Sequence, residues 1–307
     1  MLSGMLYVDK PRGMTSHGVV AAIRRLTGIR AVGHTGTLDP EASGVLILCL
    51  GRATKLARLF EDLDKTYWTV LCLGICTDTQ DATGTAVRQC AVPALSGNDV
   101  QSVLARFTGP VKQIPPMYSA VKYHGQRLYR LARQGKTVVR PARDICIRRL
   151  ELLDLRGPWM TLGVTCSKGT YIRTLCEDIG LALGYGAHMV HLQRCRVGAI
   201  DLHRALSLEC LRQRSGEGTW ESLLVPAAQA LEFLPALRLT QQQYEDFQVR
   251  QHGALAAILS PTPQGGALAP CYRLCTPWHS TIAIVQRQAS SPERWKLYNL
   301  TSHVPVS

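Results

Sequence analysis

Apolar runs separated by glycine, proline and polar breaks divide the first 200 residues into candidate strands and helices. Four apolar runs bounded by turn residues predict buried strands, at residues 5–9, 44–51, 65–74 and 159–166. Three stretches with apolar side chains at helical spacing predict helices, at residues 16–28, 99–107 and 172–184. Ser16 is the expected N-terminal cap of the first helix. Strands and helices mixed in this order predict an α+β body around one sheet.

The pattern changes in the last third of the chain. From about residue 205 it becomes helical and polar, with Gly216 and Gly218 as breaks, and from about residue 234 it shifts toward glutamine, proline and short apolar runs. Two strand-like runs, at 281–286 and 295–300, are expected to pair in a small barrel. We therefore predict a main domain over residues 1–232 and a small, mainly β domain over residues 233–307.

The charge of the chain indicates what kind of partner it binds. The 307 residues include 35 Lys+Arg against 22 Asp+Glu, which gives a formal net charge of +13 and favours a polyanionic partner. Ten basic residues and a single acid, Asp144, fall between Lys112 and Leu150. Three tyrosines, Tyr118, Tyr123 and Tyr129, are interspersed among them. Such a run is often only a solvated face, but cations mixed with aromatic rings favour contact with RNA.

Cysteine usage and hydropathy exclude several classes of protein. The eleven cysteines are scattered singly, several within apolar runs, which predicts buried thiols in a reducing cytosol. The spacing of Cys271, Cys275 and His279 lacks a second ligand cluster, so no metal site is predicted. The chain has neither a run of about 18 apolar residues nor a signal-peptide pattern. We therefore expect a cytoplasmic protein that is neither exported nor inserted in a membrane.

One loop carries candidate chemistry. The run GHTGTLDPEASG at residues 33–44 places Asp39 directly before Pro40, and proline restricts the preceding residue to an extended backbone. Asp39 then either caps neighbouring amides in a common Asp-Pro turn or presents its carboxylate to a ligand. The residues alone favour the turn.

The same loop, extended to GHTGTLDPEASGVL at residues 33–46, resembles the catalytic loop of bacterial TruB-type tRNA pseudouridine synthases. Four further segments are similar to that family in the same order: KPRGMTS at 10–16, KTY at 65–67, PMYSAVK at 116–122, and SKGTYIRT at 167–174 followed by GAH at 186–188. The resemblance covers about residues 5–200. It implies a catalytic domain built on a mixed, mainly antiparallel sheet flanked by helices, with a small PUA-like C-terminal domain that is here divergent.

This resemblance also implies an activity and its residues. The enzymes of the family isomerise the T-loop uridine at tRNA position 55 by breaking the N1–C1′ bond and rejoining the base through C5. By resemblance Asp39 is the catalytic carboxylate, and Arg173 pairs with it and keeps it ionised. Tyr67 stacks on the target base, Leu192 lines its pocket, and Lys10 shapes the floor of the site. His34 fills the gap that the extruded nucleotide leaves.

The basic segment resembles the thumb-like insertion of the family, here residues 112–145, which closes over the T-loop. The residues expected to bind RNA are Lys122, Arg127, Arg130, Arg133, Lys136, Arg140, Arg143 and, outside the insertion, Lys168. The resemblance implies no cofactor and no obligatory protein partner, and the expected form is a monomer acting on the T-arm of tRNA.

Two other functions are compatible with parts of the pattern. A non-catalytic RNA-binding or RNA-chaperone protein needs only the basic segment and its aromatic residues, and would have no use for the set Asp39, Tyr67 and Arg173. Another carboxylate enzyme acting on nucleosides, such as a glycosidase, normally requires a second acid about 5–9 Å from the first. Glu41 is near enough in sequence to be considered, but no acid–base role follows from it.

Overall fold

A computed structural model describes residues 2–215, 220–259, 270–288 and 291–300. Its α-helices are α1 (Ser16–Thr27), α2 (Ala57–Glu61), α3 (Gly97–Ala105), α4 (Leu128–Arg133), α5 (Ile172–Ala182), α6 (Leu208–Ser215), α7 (Trp220–Leu223), α8 (Ala227–Ala230), α9 (Gln241–Arg250) and α10 (His252–Ile258). Its strands are β1 (Gly4–Lys10), β2 (Val32–His34), β3 (Ser43–Leu50), β4 (Lys65–Leu73), β5 (Ile75–Thr77), β6 (Ala86–Gln89), β7 (Gly109–Gln113), β8 (Lys122–Tyr123), β9 (Gln126–Arg127), β10 (Arg143–Arg156), β11 (Trp159–Cys166), β12 (Ala187–Val197), β13 (Ile200–Asp201), β14 (Leu206–Ser207), β15 (Ala236–Arg238), β16 (Cys271–Cys275), β17 (Thr281–Gln288) and β18 (Ser291–Asn299).

One ten-stranded mixed sheet organises the chain up to β14. Eight strands follow the order β14-β1-β3-β12-β4-β11-β10-β7, with β2 paired to β3 and β13 paired to β12. The pairs β1–β14 and β3–β12 are parallel, and the other pairs are antiparallel. The mixed, mainly antiparallel sheet and the four strands predicted from the apolar runs are thus confirmed.

Helix α5 covers the centre of this sheet. Its buried Ile172, Leu175 and Ile179 pack in one cluster with residues of β4, β11 and β12, such as Leu71 and Leu162. Burial of this stripe removes apolar surface from water, which is the main force that fixes the helix on the sheet. The predicted stripe is confirmed, and it holds the first turn of α5 beside the loop that contains Asp39.

The start of α1 differs from the prediction. Thr15 is the N-cap, because its hydroxyl accepts a hydrogen bond from the backbone N–H of Gly18 at 2.9 Å. Ser16 is already inside the helix and is buried. Its hydroxyl instead makes hydrogen bonds with the backbone of Leu38, in the 33–44 loop. Gly28, with φ of 70°, ends the helix as predicted.

The ends of helix α3 also differ from the prediction. Ser96 caps α3, which runs over Gly97–Ala105 rather than over the predicted residues 99–107, while Gly109 and Pro110 begin β7. Ser96 can cap the helix because its hydroxyl accepts a hydrogen bond from the N–H of Asp99 at 3.1 Å.

The C-terminal strands form a second sheet of order β15-β16-β17-β18. The predicted pairing of the last two runs is confirmed by the antiparallel register of β17 and β18. Within the described residues this sheet keeps two open edges and is not a closed barrel. Ile284 and Tyr298 pack in one cluster with Phe60 and Leu231, so this sheet lies against the first. The boundary near residue 232 stays a prediction, and Gly216 and Gly218 lie outside the described residues.

The cysteines are all free thiols, and most are buried, as Cys49 and Cys72 are. Cys90 departs from the prediction because it lies exposed after β6. Among the residues that the structure describes, no helix is long and apolar enough to cross a membrane, and no group of three or more His, Cys, Asp or Glu side chains is arranged to hold a metal ion.

Candidate active site

A cavity of about 1410 Å³ opens between the Asp39 loop, the start of α5 and the 112–145 insertion. Its lining brings together most of the residues singled out in the sequence, namely His34, Asp39, Tyr67, Arg173 and Leu192. They come from four separate stretches of the chain, since His34 and Asp39 belong to the same loop. The sheet topology unites them because β4 and β12 are neighbours and β3 emerges beside β12.

Asp39 and Arg173 form a two-point ion pair in this cavity. Nε of Arg173 lies 2.9 Å from Oδ2 of Asp39, and Nη2 lies 3.4 Å from Oδ1. The Arg173 side chain is 5% exposed and that of Asp39 37% exposed. Because the buried guanidinium contacts both carboxylate oxygens, it fixes the orientation of the Asp39 side chain at the cavity. Asp39 therefore presents a negatively charged group at the cavity surface, and it is not only a local turn residue.

The remaining donors of Arg173 are also occupied. Nη1 donates to the backbone oxygen of Thr79 at 3.1 Å, and Nη2 donates to that of Tyr118 at 3.0 Å. Asp81 lies 3.6 Å from Nη1 and is a second acid on the same guanidinium. These contacts fix the orientation of Arg173 from three sides. Asp81 was not predicted, because it lies 92 residues from Arg173 in a turn after β5 and belongs to no recognised motif.

Lys10 contacts the backbone of the Asp39 loop and does not line the cavity. It is fully buried, and its ammonium donates to three backbone oxygens, those of Pro11, Met14 and Pro40. Burial lowers the pKa of Lys10 to about 8. Because Pro40 follows Asp39 directly, this contact ties Lys10 to the Asp39 loop, and its role at the floor of the site stays a prediction.

Tyr67 lies on β4 and faces Arg194 of β12. Burial raises the pKa of the Tyr67 hydroxyl, and the charge of Arg194 together with its hydrogen bond to Tyr67 acts in the opposite direction. Arg194 is 3% exposed and donates to the backbone oxygens of Val45 at 2.7 Å and Gly36 at 3.1 Å. Arg194 was not predicted as a residue of the site, since an arginine in a strand of mixed apolar and polar residues ordinarily points to solvent.

His34 lies at the end of β2, on the wall of the cavity. Its ring meets that of His17 edge-on, with centroids 5.1 Å apart. Burial, with smaller contributions from the charges of His17 and Arg194, lowers the pKa of His34 to about 4. His34 is therefore neutral near pH 7 and presents an uncharged aromatic ring to whatever enters the cavity.

The 112–145 insertion contributes β8, β9 and α4. Five of the predicted RNA-binding cations line the cavity: Arg127, Arg130, Arg133, Arg143 and Lys168. Lys122, Lys136 and Arg140 lie elsewhere on the insertion and do not line it. Tyr129 also lines the cavity, with the Arg133 guanidinium 5.6 Å from its ring centroid. One wall of the cavity is thus basic and aromatic.

The basic segment is less unbalanced than its sequence indicates. Lys112 pairs with Asp144 at 3.0 Å, and Arg148 pairs with Asp64 at 3.3 Å. Arg149 pairs with Glu151, and Lys168 pairs with Asp62. All of these pairs are solvent-exposed. Asp144 lies within the segment, Glu151 lies just beyond it, and Asp62 and Asp64 come from another part of the chain. The net charge counted along the segment therefore overestimates the electrostatic field that the segment produces.

Two family models match the chain. The model for the TruB family pseudouridylate synthase N-terminal domain matches residues 24–172, and the model for the tRNA pseudouridylate synthase B C-terminal domain matches residues 173–232. Curated relatives with the name tRNA pseudouridine synthase B include one from Stutzerimonas stutzeri, 46% identical over 78% of this chain and 79% of its own. Others come from Geobacillus thermodenitrificans, 44% identical over 84% and 86%, and Pseudomonas putida strain F1, 42% identical over 88% and 94%.

Solved structures with the same fold extend the comparison to nearly the whole chain. A chain in a crystal structure of a Cbf5-Nop10-Gar1 complex aligns with a TM-score of 0.67 at 24% identity, over 96% of this chain and 82% of that one. A chain in an H/ACA RNP bound to a substrate RNA containing 2′-deoxyuridine aligns with a TM-score of 0.65, again at 24% identity, over 96% and 82%. At that identity the likeness concerns the fold alone.

Proposed function

The chain belongs to the TruB family of tRNA pseudouridine synthases, and we propose that it isomerises the T-loop uridine of tRNA to pseudouridine, with Asp39 as the catalytic carboxylate. The observation that carries the proposal is the two-point pair of Asp39 with the buried Arg173, at 2.9 Å and 3.4 Å, inside a cavity with a basic wall. A turn residue needs no such partner. A charged group held at the mouth of a pocket suits covalent or electrostatic catalysis.

The reaction breaks the N1–C1′ bond, turns the uracil and joins C5 to C1′, after which the hydrogen on C5 leaves as a proton and N1 gains a proton from solvent, so that substrate and product are isomers. Asp39 can attack the base, attack the sugar or remove a proton from C2′, and each route needs an ionised carboxylate beside the ribose. In all three routes Arg173 holds the carboxylate in place through its two contacts with Asp39. No electron is transferred to an acceptor outside the nucleotide, and the reaction therefore needs no redox cofactor or co-substrate.

A T-loop uridine reaches Asp39 only after it leaves its stack. In our proposal Tyr67 stacks on the extruded base and Leu192 forms the apolar side of its pocket, since both side chains line the cavity beside Asp39. Stacking of a base on an aromatic ring contributes about 1–3 kcal/mol. His34, uncharged and at the cavity wall, occupies the place that the base vacates.

The cations of the cavity wall hold the T-arm by its phosphates. Arg127, Arg130, Arg133 and Arg143 lie on one side, and Lys168 lies near the start of α5. Contacts of this kind position an RNA without reading its sequence. Lys122, Lys136 and Arg140 are assigned to the outer part of the same interface, where they meet the stem beyond the cavity.

We extend the proposal to the organisation of the protein. It acts as a monomer in the cytoplasm without an obligatory protein partner, and its chain divides near residue 232. What the cavity supports is that one chain suffices for the reaction, since His34, Asp39, Tyr67, Arg173 and Leu192 line a single cavity. Sedimentation of the purified protein with and without a T-arm stem–loop tests the stoichiometry, which should be one to one.

Mass-spectrometric mapping of pseudouridine in a T-arm stem–loop tests the function itself. The RNA is incubated with purified protein and without added metal or nucleotide. We expect one new pseudouridine, at the T-loop uridine. A stem–loop that carries cytidine at that position should gain none. Tight binding without product would instead support a non-catalytic RNA-binding protein, and product at another uridine would overturn the substrate assignment.

A further inference from the structure

Ser16 connects α1 to the residue before Asp39. Its hydroxyl donates to the backbone oxygen of Leu38 at 3.0 Å and accepts from the backbone N–H of the same residue at 2.8 Å. Ser16 is 1% exposed and Leu38 is 3% exposed. One side chain therefore satisfies both backbone polar groups of Leu38 in a place from which water is excluded.

The helix gives this contact a rigid base. Val19, Val20 and Ile23 of α1 are buried in one cluster with Leu46 and Leu48 of β3. The two elements α1 and β3 flank the loop and pack against each other. The hydrogen bonds of Ser16 therefore fix the position of Leu38 relative to both. On the other side of Asp39, the oxygen of Pro40 accepts from Lys10 at 3.0 Å and from the N–H of Gly13 at 2.9 Å.

From this arrangement we infer that Ser16 is a positioning residue for the reaction, which sets the place of the Asp39 carboxylate by holding the backbone of Leu38. The inference rests on the proposed role of Asp39. Ser16 does not line the cavity, so it acts through the loop and has no contact with the RNA.

The expected consequence is a loss of rate with little loss of binding. Without the hydroxyl, the buried N–H and C=O of Leu38 have no partner there, and the loop must move to satisfy them. A displacement of about 1 Å at a reacting group costs on the order of 10²-fold in rate. The RNA interface is built from other residues, and the affinity for RNA should therefore change little.

Thr15 offers a matched control one position earlier. Its hydroxyl caps α1 through the N–H of Gly18 and has no contact with the loop in the described hydrogen bonds. Thr15→Ala should lower the Tm by about 2–4 °C, as the loss of an N-cap does in a domain of this size. It should leave the rate within about twofold of the unmodified protein, since a loss of helix stability alone does not move the loop.

The experiment measures single-turnover tritium release from a T-arm stem–loop labelled at C5 of uridine, at saturating enzyme, together with the Kd for the same RNA. Ser16→Ala is expected to lower the saturated rate about 10–100-fold and to change Kd less than about threefold. Ser16→Cys keeps a weak donor and acceptor and should fall between serine and alanine.

Four outcomes decide between the inference and its alternatives. An unchanged rate in Ser16→Ala, or an equal loss of rate in Thr15→Ala, overturns the positioning role. If Ser16→Ala does not fold, a rate for Ser16→Cys equal to that of the unmodified protein overturns it as well. An unmodified protein that releases no tritium contradicts the proposed function itself, which separates that failure from a failure of the Ser16 inference.

Discussion

Arg173 and Asp39 form an ion pair whose two ends differ in exposure, with 5% of the arginine side chain and 37% of the aspartate side chain accessible. The guanidinium also donates hydrogen bonds to the backbone oxygens of Thr79 and Tyr118, which fix its orientation. The carboxylate faces the cavity and has space in front of it for a nucleotide. In the proposed reaction the two residues have different roles, with Arg173 as the fixed support and Asp39 as the reactive group.

We expect Arg173→Lys to lose at least about 99% of the activity. A lysine ammonium cannot reach both oxygens of Asp39 and two backbone oxygens with the geometry of a planar guanidinium. The loss should appear in the saturated rate, because the reactive group is displaced, and much less in the affinity for RNA. Single-turnover rates and Kd values for a T-arm stem–loop separate these effects.

Arg25→Lys is the matched control for this change. Arg25 lies exposed on α1, outside the cavity. The same substitution there should leave rate and affinity unaltered. If Arg173→Lys retained the full rate, the bidentate geometry would not matter to the reaction.

Binding of the T-arm should weaken steeply with salt. Each phosphate that a cation neutralises contributes a slope of about −0.7 to −0.9 in a plot of log K against log salt concentration. Arg130 lines the cavity, and we expect Arg130→Gln to reduce the slope by about one contact. Titrations of a fluorescent stem–loop at several salt concentrations give both slopes.

The control for charge alone is Arg25→Gln, which removes one cation from α1. Its slope should equal that of the unmodified protein, because this position lies away from the cavity. Equal effects of Arg130→Gln and Arg25→Gln would indicate a general attraction to RNA, with no defined interface at the insertion.

Asp178, on α5, gives a prediction about stability and pH. Burial, with a smaller contribution from Glu177, raises the pKa of Asp178 to about 6. The folded state then binds this proton more tightly than the unfolded state, so the contribution of Asp178 to stability is present below pH 4 and is lost as the pH rises through 6. Asp178→Asn should therefore raise the Tm at pH 7.5.

The pH dependence supplies the control for Asp178→Asn. In thermal melts from pH 4 to pH 8, the gain in Tm over the unmodified protein should shrink as the pH falls through 6 and disappear near pH 4. A gain of equal size at every pH would point to packing and not to the charge of Asp178.

Local patterns predicted the parts of the fold that local forces determine. The runs that became β3, β4 and β11 are apolar and end at turn residues, and the stripe of α5 has helical spacing. Strands β10 and β12 were not predicted, because arginines, histidines and glutamines interrupt their apolar residues. Their pairing partners, not their own composition, make them strands.

The site shows the same division between local and distant effects. Resemblance identified Asp39 and Arg173, which the structure brings together across 134 residues of sequence. Asp81 and Arg194 were missed, since their contacts with Arg173 and with the Asp39 loop arise only in the folded sheet. Ser16 was assigned to a cap because serine before a helix is a common N-cap, and only the packing of α1 shows its contact with Leu38.

Asp39→Asn tests the central claim most directly. The substitution keeps the size of the side chain and removes its charge, and the protein should fold and bind the T-arm stem–loop as before. The measurement is tritium release from C5-labelled uridine in that RNA. If Asp39 is the catalytic carboxylate, the variant releases no tritium above background while the unmodified protein releases it fully, whereas turnover retained by Asp39→Asn would contradict that assignment.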